Sequence, residues 1–413
     1  MNRLLHKLGA PDLRSIRSNG TLNLVAASAL GALVAFVSSL LMAKVMGPTG
    51  RGLVALSLQL SYLLAPLFAL GLNVFLLRGA TGDVLHARQL LQIPVLMGWA
   101  VTVSLVAISG LLDQFESYLS WFVVLAGPVA ISLSSLAVIR AHFVGNRSIA
   151  PFTGVALAVN LFSLLAFLYL WVIQASDAGS WAIVYAVPSL PFTVYALSCR
   201  WRIKPLLKLV RSSSTVLTHS IFSLISTRLE RVLLPFLVGP GALGLYVVVA
   251  TTIEAVLWLV RAKAEWLVHS FARQGYSHVG LAYVCRKTWW LLPIILGAAV
   301  ITVFVVIPWL GPDYAPAAVL VWPVAISTYV FGLTTYLQSG LIASAKPGSV
   351  SKIALLMAAI SVAVYPSAIL IWGVQGAAWG SVCVYSIGLV VNSLVLKKLL
   401  RGEMGVGVEN ERH

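Results

Sequence analysis

Residues 47–53 read Gly-Pro-Thr-Gly-Arg-Gly-Leu, and residues 239–245 read Gly-Pro-Gly-Ala-Leu-Gly-Leu. The two stretches share the pattern GPxxxGL and begin 192 residues apart, which is close to half of the 413-residue chain. Proline and glycine clustered in this way indicate a tight turn. Because each stretch separates two long apolar runs, the pattern predicts a helical hairpin that occurs once in each half of the chain.

Apolar runs dominate the whole chain. Hydrophobic residues make up 60% of it and charged residues 10%, against about a quarter charged in soluble proteins. This composition excludes a soluble globular enzyme, and it indicates membrane spans of about 20 residues each. Twelve spans are predicted, at residues 21–44, 52–78, 90–111, 118–140, 149–173, 178–200, 215–238, 243–261, 288–310, 314–341, 351–372 and 375–397.

The spans divide the chain into two halves of six. Six spans in each half give both halves the same membrane orientation, as parallel repeats, an arrangement typical of alternating-access transporters. We therefore predict an all-α polytopic membrane protein with about 12 transmembrane helices in two parallel six-helix lobes. The predicted units are a cytoplasmic segment 1–20, an N-lobe 21–200, a linker 201–214, a C-lobe 215–398 and a cytoplasmic tail 399–413.

The net charge of +16 indicates how the chain is oriented in the membrane rather than a nucleic-acid partner, because the basic residues lie between apolar runs. Of the 28 lysines and arginines, 24 fall on one set of alternating connections, and such residues cluster on the cytoplasmic side. Both termini are therefore predicted to be cytoplasmic. Tryptophans that favour headgroup depth fall at the predicted outer ends, at Trp121, Trp171, Trp181, Trp309, Trp322, Trp372 and Trp379.

The sequence gives no sign of catalytic or metal chemistry. Cys199, Cys285 and Cys383 are far apart and beside apolar segments, which indicates neither a disulfide framework nor a metal site. No zinc-protease, phosphate-loop or serine-hydrolase motif is present in the sequence. We expect no catalytic residue, no metal and no cofactor.

The four remaining basic residues include two inside the membrane. Arg228 and Arg231 lie in span 7 beside Glu230, and Glu254 lies in span 8. Arg231 and Glu254 are each about 11 or 12 residues from the hairpin turn, or roughly 17 Å along a helix, near the bilayer centre. A charge at that depth costs at least about 2.5–3.5 kcal/mol, so such side chains face a bundle interior or a wet path.

Two interpretations of these charges stay open. An Arg231–Glu254 ion pair would lock the second hairpin, or the arginines line a cavity whose guanidinium groups match the phosphate oxygens of an anionic headgroup. Glu254 could instead be protonated or bind a cation during transport. The offset of 192 residues places Gln59 and Tyr62 of span 2 opposite Thr251 and Glu254 of span 8.

Three further ionisable residues lie near predicted span ends. For Lys44 and Arg51, beside the first turn, snorkelling to lipid headgroups is a sufficient account, and contact with a diphosphate is the alternative. His219 lies about one turn into span 7 and could titrate, although a headgroup contact explains it equally well.

Several stretches resemble one transporter family. Residues 43–52 resemble the A-R-x-x-G-P-x-x-x-G signature of bacterial polysaccharide and O-antigen flippases, the Wzx-type branch of the multidrug, oligosaccharidyl-lipid and polysaccharide exporter superfamily. Similar matches follow in order at residues 228–246, 311–316 and 373–380. The chain departs from the family pattern where Lys44 replaces an arginine, Glu230 an aspartate and Pro316 an alanine.

The resemblance implies a flippase that moves an undecaprenyl-diphosphate-linked oligosaccharide across a bacterial inner membrane. The product would serve O-antigen, lipopolysaccharide or exopolysaccharide biosynthesis, with a polysaccharide polymerase and glycosyltransferases as partners beside the phospholipid membrane. Coupling to H⁺ or Na⁺ is left open. Spans 1, 2, 7 and 8 would line the cavity, with Arg228 and Arg231 on the diphosphate and Gln59, Tyr62 and Thr251 on sugar or water. Glu230 and Glu254 would serve ion pairing or coupling.

Two rivals are weighed against this interpretation. A cation-coupled drug antiporter of the same superfamily would favour an acidic cavity over one with arginines. A membrane-embedded glycan polymerase or ligase would need a sizeable outer loop, and the predicted outer connections are too short for one.

Overall fold

The computed structural model shows a helical bundle. It describes residues 20–72, 76, 87–145, 149–199, 203–260, 263–264, 281–343 and 347–410. Within these ranges no strand occurs, and eight stretches are long and apolar enough to cross a membrane. The expected all-α, multi-pass membrane fold is therefore confirmed. The predicted segment 1–20 lies outside these ranges apart from Gly20, as does most of the connection at 265–280.

Thirteen α-helices follow one another along the described residues. They are α1 Gly20–Ala69, α2 Ala87–Leu90, α3 Gln92–Gly145, α4 Ile149–Val172, α5 Ala178–Ala186, α6 Ser189–Leu197, α7 Ile203–Leu237, α8 Pro240–Glu254, α9 Leu281–Thr288, α10 Leu291–Ile301, α11 Ile307–Leu310, α12 Val321–Ala343 and α13 Pro347–Asn410. A π-helical turn at Thr302–Val306 joins α10 to α11, and a 3₁₀ helix at Pro312–Leu320 leads into α12.

Three of the long helices each contain two membrane passages. The chain reverses in α1 at Gly47 (φ 68°) and in α13 at Gly373 (φ 58°), backbone conformations that favour glycine. In α3, Gly98 packs against Ile131, so its two halves lie side by side. Two of the eight apolar stretches, in α1 and α13, hold two passages each, and α5 and α6 together form one. With α7 and α8 added, the described ranges hold twelve helical passages, as the hydropathy pattern predicts.

Two predicted spans are interrupted in the structure. Span 6 breaks between α5 and α6 near Pro188, and span 8, expected to run from 243 to 261, breaks after Glu254 before a short helical segment at 257–260. Asp177 begins α5, where its carboxylate accepts hydrogen bonds from the backbone N–H groups of Ser180 (2.8 Å) and Gly179 (3.2 Å). These bonds lower the pKa of Asp177.

The predicted linker and tail are extensions of helices. Residues 203–214 belong to α7 and residues 399–410 belong to α13, so neither described segment is a separate loop. A polar composition alone could not distinguish a loop from a helix that extends beyond the bilayer.

Trp181 differs in burial from the other tryptophans predicted at the outer ends. It is fully buried, its Nε1 donates to the carbonyl oxygen of Ala175 (2.8 Å), and its ring stacks on Phe167. The other six tryptophans of that set are at least 36% exposed, which fits the lipid-facing surface of a membrane protein.

Two apolar clusters show how the halves meet. The smaller one joins the part of α1 that follows residue 64 to α3, α4 and α6. The larger one joins the turn region of α1 to α8 and to the helices that follow it. The first hairpin (α1) therefore packs on the second hairpin (α7 and α8) near their two turns. We call this region of the bundle the turn end; it is the predicted outer end.

Candidate functional site

The two GPxxxGL turns contact each other through their backbones. A Cβ atom on Gly52 would lie 1.7 Å from the carbonyl oxygen of Pro240, and one on Gly244 would lie 1.8 Å from the carbonyl oxygen of Pro48. The two contacts are related by the same 192-residue offset as the motifs, so the hairpins meet across a local pseudo-two-fold axis. No side chain fits at either glycine while the turns touch.

Two side-chain contacts add to the closure of the turn end. Lys44 Nζ donates to the carbonyl oxygen of Trp309 (2.7 Å), where the last carbonyls of α11 attract a cation. The hydroxyl of Tyr314 donates to the carbonyl oxygen of Ala43 (3.2 Å). Both bonds join the first hairpin to the C-terminal half, so the turn end is closed in this conformation. Lys44 thus points to α11 carbonyls.

A charge cluster joins the two helices of the second hairpin. Arg231 Nε donates to Glu230 Oε1 (3.1 Å), and its Nη2 donates to Glu254 Oε1. The guanidinium also lies over the ring of Tyr246. Arg231 is 5% exposed and Glu230 is fully buried, while the Glu254 side chain keeps 23% exposure. The Arg231–Glu254 pair predicted as one alternative is therefore present, and Glu254 ends α8 where this partner stabilises it.

Arg228 lies one turn away and bridges the two halves. Its Nη1 donates to Gln59 Oε1 (3.3 Å), and its guanidinium carbon is 5.1 Å from the centroid of the Tyr62 ring. Both partners are on the first hairpin, and both are neutral. Arg228 makes no ion pair with any carboxylate in the described part of the chain. The structure thus brings Gln59 and Tyr62 to Arg228 and not to Glu254.

A small cavity lies between α7, α8, α12 and α13. Its lining consists of Thr227, Arg228, Arg231, Glu254, Leu257, Thr328, Phe331 and Tyr385. The cavity measures about 20 Å³, and on the same measure one water molecule needs roughly 10–15 Å³. It has no room for a sugar in this conformation. Two arginines and one glutamate give the lining a formal charge of +1.

Five lining residues were not singled out in the sequence: Thr227, Leu257, Thr328, Phe331 and Tyr385. Thr328 and Phe331 lie on α12, and Tyr385 lies on α13, where its hydroxyl donates to the carbonyl oxygen of Thr227 (3.5 Å). Uncharged residues of this kind recur in most spans. A single sequence holds no signal that separates them from ordinary packing residues.

Two predicted site residues lie apart from the cluster. Thr251 is partly buried one turn before Glu254 and is not in the cavity lining. His219 is nine residues before Arg228, about 13 Å along α7, and its ring is beside the backbone of Val350.

Arg51 departs most from its expected position. Its predicted snorkelling to headgroups is wrong, because the residue is 3% exposed. Its Nη2 donates to Ser39 Oγ (2.9 Å), on the helix that precedes the turn. The reversal at Gly47 directs the face of α1 that carries Arg51 towards the bundle interior. The closeness of Arg51 to the turn in sequence could not predict this direction.

Several solved membrane transporters are similar in structure. The lipid II flippase MurJ in its inward closed conformation matches with a TM-score of 0.66 at 11% identity, covering 91% of this chain and 88% of that one. The MATE multidrug transporter DinF-BH matches with 0.57 at 12% identity, covering 92% and 94%. The Vibrio cholerae MATE transporter VcmN in the bent form matches with 0.52 at 14% identity, covering 94% and 98%.

These likenesses concern the fold. No protein-family profile matches the chain, and no curated protein matches its sequence. The structural neighbours are flippases and transporters rather than enzymes. The Wzx-type branch that the sequence motifs suggested is not singled out by these neighbours. The chain has the all-helical fold that MurJ and these MATE transporters share.

Proposed function

We propose that the chain is a flippase for an undecaprenyl-diphosphate-linked oligosaccharide in a bacterial cytoplasmic membrane, acting in polysaccharide or O-antigen biosynthesis. The observation that carries this proposal is Arg228. It joins the two halves of the bundle, lines the cavity and contacts the neutral groups of Gln59 and Tyr62. A guanidinium fork engaged by neutral groups can exchange them for the phosphate oxygens of a substrate.

The roles of the two arginines differ in this proposal. Arg228 binds the diphosphate, whereas Arg231 is neutralised by Glu230 and Glu254 and holds α7 against α8. This changes the expectation that both arginines contact substrate. Gln59 and Tyr62 hold Arg228 until substrate arrives and then face sugar or water, and Thr251 joins them when the cavity widens.

The small cavity fits one state of a transport cycle. A headgroup enters only after the halves separate, while the polyprenyl tail stays in the bilayer. MurJ, similar in fold, is a lipid II flippase by name, which is compatible with a lipid-linked cargo here. Glycosyltransferases would supply the substrate, and a polymerase would consume it on the outer face.

A cation-coupled drug antiporter is the second candidate. Its support is the Glu254 carboxylate in the cavity lining, together with the MATE fold relatives. In the flippase proposal this carboxylate pairs with Arg231 and is the place where H⁺ or Na⁺ coupling would act. Arg228 has no carboxylate partner within the described residues, and this unpaired cation favours an anion over a cationic drug.

A reconstitution assay tests the proposal. Vesicles that contain the protein and a labelled undecaprenyl-diphosphate oligosaccharide report how fast the headgroup reaches the opposite leaflet. We expect Arg228→Ala to slow flipping at least about tenfold, because a charge-assisted hydrogen bond contributes roughly 1.5–3 kcal/mol. The matched control is Arg88→Ala, since exposed Arg88 packs on Tyr195 far from the cavity. Flipping by Arg228→Ala at the wild-type rate, or wild-type drug-cation transport without flipping, would overturn the proposal.

A further inference from the structure

Arg51 is a buried cation without a counter-charge. Its Nη2 reaches Ser39, but its Nε and Nη1 are buried and have no hydrogen-bond acceptor. It forms no ion pair within the described ranges. Arg231 is buried to a similar extent and has two carboxylate partners. The same bundle thus neutralises one buried arginine and leaves the other open.

The surroundings of Arg51 are neutral but polar. The ionisable groups that act on it electrostatically are the phenols of Tyr185, Tyr314 and Tyr62. The Tyr185 hydroxyl is 3.3 Å from Ser38 Oγ, beside the serine that Arg51 contacts. Hydroxyl groups donate to phosphate oxygens as well as to each other. The guanidinium therefore lies among donors and lacks only an anionic acceptor.

An unpaired guanidinium in this position is costly. Each buried donor without an acceptor carries the full desolvation cost of that group, and a charge at membrane depth costs more. Charged groups held in a membrane bundle at such a cost mark substrate or ion paths. The missing partner is therefore expected to be a transient anion.

Arg51 continues the path that begins at Arg228. Arg51 and Tyr62 are 11 residues apart on the second half of α1, so they lie on one helix face about 16 Å apart along the axis. Tyr62 stacks on Arg228 near the cavity, whereas Arg51 lies beside the Gly52–Pro240 contact at the turn end. The two open guanidinium groups are thus arranged in sequence from the cavity to the turn end.

We propose that Arg51 is a second anion-binding position, which takes the diphosphate group of the transported lipid when the turn end opens. This inference rests on the proposed function and extends it. Arg51 directly precedes Gly52, whose backbone is pressed against Pro240 in the closed turn end, so we expect separation of the turns both to open the path and to uncover its guanidinium. The diphosphate then passes from Arg228 to Arg51 on its way to the second leaflet.

The test combines a reversible lock with a charge deletion. A Cβ on Gly241 would lie 3.4 Å from Thr49 Oγ1, a spacing that suits a disulfide between Thr49→Cys and Gly241→Cys. The lock is placed in the full chain with its three native cysteines replaced by serine. Inorganic pyrophosphate is titrated into the protein in phosphatidylcholine nanodiscs, with the lock reduced and then oxidised.

Arg51→Gln should weaken pyrophosphate binding about tenfold in the reduced protein and leave it unchanged in the oxidised one, since we expect the locked turns to cover Arg51. An equal loss in both states indicates a structural role and overturns the inference, as does an unchanged affinity in the reduced state. If Arg51→Gln does not fold, Arg51→Lys is tested in its place, because it keeps the charge and loses the bidentate guanidinium group. Its loss of pyrophosphate affinity should be smaller and should depend on the lock in the same way.

Three further readouts separate the explanations. Removal of an unpaired buried cation should leave the melting temperature of Arg51→Met equal to or above that of wild type, and a clear drop overturns the inference.

Nanodiscs that contain phosphatidylglycerol test the other phosphate source, and displacement of pyrophosphate by this lipid overturns the assignment to the transported diphosphate. Arg228→Gln separates the two proposals. If Arg228→Gln binds pyrophosphate and flips the lipid as well as wild type, the proposed function is wrong. If Arg228→Gln loses both activities while Arg51→Gln behaves like wild type, only the second anion-binding position is wrong.

Discussion

The two hairpins keep the same turn and differ in what they bury. Both carry GPxxxGL, and the last glycine of each turn, Gly52 or Gly244, is pressed against a carbonyl oxygen of the other turn. The first hairpin buries Arg51 without a carboxylate, whereas the second buries Arg231 between Glu230 and Glu254. The comparison teaches that backbone contacts hold the symmetric closure, while the chemistry is asymmetric and is concentrated around α7.

The largest effect is expected where the second hairpin is neutralised. Arg231→Ala leaves two carboxylates without their partner and should destabilise the protein by about 3–5 kcal/mol. Arg228→Ala removes no ion pair and should cost far less. Thermal unfolding of both variants in one detergent measures the difference. Equal melting temperatures would show that the ion pairs of Arg231 with Glu230 and Glu254 contribute nothing to stability.

A charge swap sharpens the same point. Arg231→Glu combined with Glu254→Arg restores an ion pair between α7 and α8 with the charges exchanged. We expect the double variant to recover protein levels relative to either single variant, but not glycan export. Recovery of both would mean that only the existence of the pair matters.

The turn contact should be equally sensitive in both hairpins. Gly52→Ala and Gly244→Ala each place a methyl group within 2 Å of a backbone carbonyl oxygen, at 1.7 and 1.8 Å. Each should disfavour the closed turn end by about 3 kcal/mol, roughly a hundredfold. The yield of the Thr49–Gly241 cysteine cross-link measures closure. Gly154→Ala and Gly297→Ala are the controls, since a Cβ at either meets nothing within 4 Å. A cross-link yield at the wild-type level in either turn variant would break the symmetry argument.

Smaller effects are expected from the partners of Arg228. Gln59→Leu removes the acceptor of a charge-assisted hydrogen bond and should slow flipping by about tenfold. The rate is measured in the same vesicle assay as for Arg228→Ala. In Arg228→Ala protein the Gln59 substitution should add nothing further, and independent, additive losses would show that the two residues do not act together.

The smallest effect concerns the ring beneath Arg228. Tyr62→Leu removes a cation–π contact that contributes about 0.5–1 kcal/mol, so flipping should fall only two- to fivefold. Tyr62→Phe keeps the ring face and should behave like wild type. A large loss in the phenylalanine variant would indicate that the hydroxyl, rather than the ring, carries the function.

The sequence predicts the spans and the charge cluster because both depend on local properties. Twelve apolar windows correspond to twelve passages, and equal distance from one turn brings Arg231 and Glu254 together. The burial of Arg51 and Trp181 could not be predicted, because the direction of a side chain beside a turn depends on which helix packs there.

The partners of Arg228 show a second limit of sequence reasoning. The repeat offset makes Gln59 and Tyr62 the equivalents of Thr251 and Glu254, and it gives no indication that they contact Arg228 of α7. An offset relates equivalent positions in two copies, and equivalent positions across a pseudo-two-fold axis need not touch. The break after Glu254 was missed for a related reason, since no proline or glycine marks it in the sequence.

Binding of the intact lipid-linked oligosaccharide tests the central claim most directly. The affinity of purified wild-type protein and of Arg228→Gln protein is measured in phosphatidylcholine nanodiscs, beside the Arg88→Gln control. We predict binding at least about tenfold weaker for Arg228→Gln and unchanged for the control. Equal affinity in all three proteins would contradict it.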